Sequence, residues 1–171
     1  MHRESDRGER VREVDPASMP VQPGTLMQKA IPPRLVEPYL TGRRSVIAGF
    51  VYRVQDSSFD EPAEFYEALD LRYDGSDFGP DLTEVYVMRW RAVGVRSYQV
   101  PYSPERGGDW RGEPPFTGTG FTSWRAREVA EFYTDPIPVP VGAEMYRITT
   151  GAEEFIARFD GQVWLRPSGG T

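Results

Sequence analysis

The chain has 171 residues, 39% hydrophobic and 13% aromatic, with a net charge of −6 and a pI near 4.9. That length and apolar content suit one domain around one core. The acidic balance, without a clustered basic face, argues against general nucleic-acid binding, where phosphate neutralisation dominates affinity. Cysteine is absent and His2 is the only histidine, which excludes thiol catalysis, disulfides, a Ser-His-Asp triad and zinc held by imidazole or thiolate.

Seventeen glycines and 16 prolines predict frequent turns and few, short helices. Lys29 is the only lysine, which reads as a coding bias toward arginine. No apolar run reaches about 18 residues, so no membrane span is expected. Residues 1–24 lack the apolar stretch of a signal peptide. The expectation is a bacterial chain that is cytoplasmic or secreted by a signal-independent route.

Residues 1–24 are charged, then rich in proline and small residues, and read as a disordered tail or linker. Residues 25–171 read as a single domain. Residues 32–40 suit a short helix after a proline start, strained by Pro38 and ended by Gly42. Residues 45–54 (SVIAGFVYRV) are dense in β-branched and aromatic residues and predict a strand. Alternation sets Phe50 and Tyr52 on one side, with Ile47, Val51 and Arg53 on the other. Arg53 thus falls on an otherwise apolar face. Residues 62–71 predict a helix, with Pro62 in its first turn.

Residues 84–92 and 96–102 read as an antiparallel pair turning at Val93-Gly94-Val95. Residues 103–119 form a long loop, of a length that often carries function. Thr122 and Ser123 follow, at what reads as the start of a short amphipathic helix over Arg125 to Phe132. Residues 143–150, 153–159 and 162–167 make a three-strand meander, with Asp160-Gly161 as a two-residue turn. No βαβ alternation occurs. The class is α+β, with a mostly antiparallel twisted sheet and a few short helices.

Three pieces can carry chemistry: Tyr52-Arg53, then Phe121-Thr122-Ser123-Trp124, then Glu153-Glu154 at the start of an apolar strand. An arginine grips phosphate through two parallel hydrogen bonds. A hydroxyl can orient a carboxylate, and a carboxylate can stabilise a developing oxocarbenium charge. Each piece also has a structural reading. Arg53 can pair with Asp56 or Asp70, Thr122 and Ser123 can cap a helix, and the glutamates can be solvated.

In their order these residues resemble the arginine–serine–glutamate branch of the ADP-ribosyltransferase superfamily. The resemblance implies NAD as substrate, no metal, and ADP-ribosyl transfer or NAD hydrolysis, as in a delivered effector or toxin. It assigns Glu153 or Glu154 as the catalytic carboxylate and Ser123 as its orienting hydroxyl. Arg53, Tyr52, Thr122 and Trp124 would hold the cofactor. Trp124 stands where the branch has a third hydroxyl, and the glutamates are adjacent where the branch spaces them by one residue. The second of these departures favours hydrolysis, or transfer to an acceptor other than arginine. The rival expectation is a non-enzymatic interaction module, an immunity protein or an accessory subunit, with a protein partner.

Overall fold

The computed structural model describes residue 16 and residues 19–169. Its strands are β1 (Leu26–Ile31), β2 (Val46–Arg53), β3 (Glu84–Arg91), β4 (Tyr98–Gln99), β5 (Phe132–Pro138), β6 (Glu144–Thr149), β7 (Ala152–Phe159) and β8 (Trp164–Leu165). Helix α1 (Pro33–Leu40) joins β1 to β2, and α2 (Pro62–Ala68) lies between β2 and β3. The strands form one sheet in the order β4-β5-β2-β1-β3-β6-β7-β8. Every neighbouring pair is antiparallel. The domain is α+β, as its sequence predicts.

The two-residue period of a strand gives the sheet two apolar faces. On one face Ile47 and Val51 pack with Met27, Met88, Trp90 and Met145, beneath Val36 and Tyr39 of α1. On the other, Tyr52 packs with Ala30, Val85, Val87 and Ile148, against Phe65, Ala68 and Leu69 at α2. Both helices begin with a proline at the first helical position, where no N–H is needed. Both are short, and Pro38 removes a further donor inside α1.

The sequence reading needs correction at several places. Strands β1 and β5 have no counterpart among the elements that the sequence predicts. Residues 96–102 do not form a hairpin with β3; a 3₁₀ turn at Val95–Ser97 leads into β4, which pairs with β5. The indole of Trp90 donates to the Tyr98 hydroxyl at 2.8 Å and fixes that placement. Pro101, with no N–H to give a ladder, stops the strand from lengthening. No helix follows Trp124. From Val129 onward the chain is extended: Val129 joins the second core, while Ala130 and Phe132 join the first. That alternation is a strand's period, and it overrides the helical spacing. The packed domain also begins before residue 25, since Val21 is buried in the first core and Gly24 N–H donates to the Ala92 carbonyl. The rest of the expected tail, residues 1–15, 17 and 18, lies outside the described residues. Among the described residues no helix is long and apolar enough to cross a membrane.

Candidate functional site

The sheet has a narrow seam. Strands β1 and β2 are in register only at Met27 with Arg53 and Gln28 with Tyr52. Beyond those pairs β1 stays on β3 as far as Ile31, while β2 follows β5. A bulge between Ile47 and Gly49 helps β2 turn away. Gly49 has φ +90°, a conformation that only glycine adopts cheaply.

A cavity of about 280 Å³ occupies the split, at the lower end of the sizes usual for small-ligand pockets. Lys29 reaches into it and donates to the Phe50 carbonyl at 3.0 Å. Arg44 stands on the cavity wall, its Nε donating to the Tyr39 hydroxyl at 3.1 Å and its guanidinium 5.5 Å from that ring's centroid. Among the described residues no carboxylate lies within ion-pair distance of either cation. Burial pushes the Lys29 ammonium down to about 8, and repulsion from Arg44 adds to the shift. The long loop supplies Phe116, which stacks on Phe50 at 4.5 Å between centroids. Trp110 packs edge-on against the same Phe50 ring. The loop closes tightly over its own start: a Cβ on Gly108 would come within 2.0 Å of the Tyr102 carbonyl oxygen.

Asp70 forms another part of the wall. It follows α2 with φ +53°, the left-handed region. Its carboxylate accepts two hydrogen bonds from Ser123, from N–H at 2.8 Å and from the hydroxyl at 2.6 Å. Burial raises the Asp70 pKa, and the bonds from Ser123 pull it back part of the way. Arg72 donates to the Ser123 oxygen at 2.9 Å. Tyr52 donates to the Leu69 carbonyl at 3.1 Å. Burial, then the charges of Glu131 and Asp70, hold the Tyr52 phenol well above its ordinary pKa. Glu131 sits one residue beyond the Val51–Phe132 pair, which sets it beside Tyr52. It is 1% exposed, and among the described residues neither carboxylate oxygen has a hydrogen-bond partner. Burial, with the nearby Asp70 charge second, pushes it up to about 8, so it holds its proton at neutral pH.

The residues singled out from the sequence fall into four separate places. Tyr52, Thr122, Ser123 and Trp124 lie on the second face. Tyr52 lines the cavity and Ser123 secures Asp70. Thr122 Oγ1 accepts from Val129 N–H at 3.2 Å, and the Trp124 ring packs on Phe59. With no helix after them, Thr122 and Ser123 cap nothing. Arg53 points to the opposite face. Its Nε donates to Asp56 at 2.6 Å, its Nη1 donates to the Met19 carbonyl at 2.7 Å, and its guanidinium lies over Phe132. Glu153 pairs with Arg89 at 2.6 Å in a hollow beside Ser58 and Asp60, while Glu154 pairs with Arg147. Arg53, Ser123 and the glutamates therefore share no cleft. Lys29, Arg44, Phe116 and Glu131 escaped the sequence reading as site residues. Two signals were present: the solitary lysine, and a lone acid among Val129, Ala130 and Phe132.

No protein-family model, curated protein or solved structure matches this chain.

Proposed function

We propose that the domain binds a nucleotide, NAD or a relative of it, in the cavity between β1 and β2. The ligand is the one the ADP-ribosyltransferase resemblance implies, at a different site. One observation carries the reading: Lys29 and Arg44 face an aromatic-walled cavity without ion-pair partners among the described residues. Two unneutralised cations in a partly desolvated hollow favour an anion such as phosphate. Tyr39, Phe50, Tyr73 and Phe116 offer ring faces and edges to a planar base. A cavity of about 280 Å³ takes one half of a dinucleotide and leaves the other at the mouth. Asp70 is the carboxylate on the wall available to a developing positive charge, oriented by Ser123.

Calorimetric titration with NAD, ADP-ribose and AMP tests the proposal, with nicotinamide release followed in parallel. Binding is expected in the micromolar to millimolar range. Arg44→Gln should weaken it by about tenfold, the effect of losing roughly 1.4 kcal/mol. No heat and no change in melting temperature with any of the three, at millimolar concentration, rejects it.

A separate observation favours the interaction-module reading. Trp164 of β8 turns into the first core, leaving Val163 and Leu165 more than half exposed at the sheet edge. Val141 is 74% exposed and approaches the turn at Gly161. An apolar edge of this kind suits a protein partner. Rejection of the nucleotide reading would leave this edge as the functional surface.

A further inference from the structure

We propose that Lys29 is a carbonyl-reactive amine, and that the cavity takes an aldehyde or ketone bearing an anionic group, which Arg44 holds while Lys29 forms an imine. The inference rests on the nucleotide reading's premise that this cavity is a ligand site, and adds covalent chemistry to it.

Residue choice points to the amine. Lys29 is the only lysine among 20 Lys and Arg residues. Arginine serves for charge, hydrogen bonding and ring stacking, and this chain uses it for all three. What arginine cannot do is lose a proton near neutral pH and offer a lone pair. The one lysine stands where that property has a use, on a cavity wall.

The surroundings of Lys29 point the same way. Among the described residues the Lys29 nitrogen makes one hydrogen bond, to the Phe50 carbonyl. The other titratable groups on the cavity are Arg44 before β2, Tyr39 on α1, Tyr52 on β2, and Asp70 and Tyr73 after α2. The Asp70 carboxylate is engaged by Ser123 rather than by Lys29. A neighbouring cation and a desolvated wall both favour the neutral amine, in line with its lowered pKa of about 8. At pH 7.5 such an amine is about one-quarter neutral, against about 0.1% for an ordinary lysine.

The chemistry balances. The lone pair of Nζ attacks the carbonyl carbon, and the π pair moves to oxygen. A proton passes from nitrogen to that oxygen through water. The hydroxyl leaves as water with a second proton, and the C=N bond forms. One amine and one carbonyl give one imine and one water, with no oxidant or reductant.

The test uses the full chain and pyridoxal 5′-phosphate, an aromatic aldehyde carrying a phosphate, followed by borohydride reduction and peptide mass mapping. The expected result is a reduced adduct on Lys29, formed at least tenfold faster in the native chain than in urea. Arg44→Gln should slow it several-fold. The native-to-unfolded comparison uses the wild type, so a variant that fails to fold does not spoil the test. A Lys29 that reacts no faster folded than unfolded overturns the proposal. NAD present during labelling separates the two readings. Protection supports both. Labelling without protection supports the amine and counts against the nucleotide. NAD binding by calorimetry without any adduct overturns the amine alone.

Discussion

Glu131 is held almost wholly out of solvent, with no hydrogen bond to either carboxylate oxygen from the described residues. Ionising it there costs several kcal/mol, so the folded chain keeps the proton. Its native pKa is about 8 against an ordinary 4.5. Between those values the unfolded chain releases a proton that the native chain retains. Native protein then binds more protons, and stability falls as pH rises, at about 1.4 kcal/mol per pH unit. The contribution is complete below the lower value and fully lost above the upper one. Glu131→Gln should remove that slope. Urea denaturation from pH 5 to pH 8 should find the variant gaining on the wild type with each unit. The unpartnered amide adds only a constant offset, so two parallel stability curves would sink the idea. The charge of Asp70 contributes to the same shift, so the pH at which the slope ends also reports how closely the two carboxyls communicate.

Helix α2 ends in a Schellman turn, and that turn positions the acid on the cavity wall. The N–H of Leu71 closes back on the Tyr66 carbonyl at 3.1 Å, with Asp70 at the left-handed position where glycine is usual. An L-residue there costs about 1–2 kcal/mol. The paired bonds from Ser123 offset it. Both Asp70→Gly and Asp70→Ala lose those bonds, so their difference isolates the backbone. Thermal unfolding should find the glycine variant more stable by about 1 kcal/mol; equal stabilities would mean that the turn relaxes. Local pattern made much of this framework legible. The dense run around Phe50, the proline-started helices and the final meander all follow from periodicity and turn residues. Position 70 did not, because its φ depends on an anchor 53 residues away. Strand β5 was hidden for a similar reason: Val129, Ala130 and Phe132 fit either period until the two faces of a sheet claim them separately. The expected cleft rested on the order of short motifs. Chain order does not say which face of a sheet a side chain takes, whereas the alternation of Tyr52 and Arg53 already divided that pair.

At the scale of the whole molecule, the sheet is two ladders joined by a seam of two residue pairs. Gln28 secures that seam from within. Fully buried, it donates to the Ser57 carbonyl at 2.6 Å and hydroxyl at 2.7 Å, and accepts from Arg89 at 3.2 Å. Ser57 in turn donates to the Arg53 carbonyl at 2.6 Å. The network thus ties β1 and β3 to the end of β2, beside the place where the strands part around Lys29. Gln28→Ala leaves buried donors and acceptors without partners, a loss on the order of 3 kcal/mol. The loss should not spread evenly. Strands β1, β3, β6 and β7 keep their long registers with one another, whereas β2, β5 and β4 join that ladder only through the two pairs of the seam. Hydrogen exchange of the variant should therefore quicken first in β2 and β5, with β3 and β6 still protected. A ligand that bridges the cavity from Lys29 to Arg44 touches both ladders and should restore part of that protection. Uniform exchange across all strands would mean that the sheet opens as one unit, and that the split at Lys29 is a fixed cavity rather than a joint between two halves.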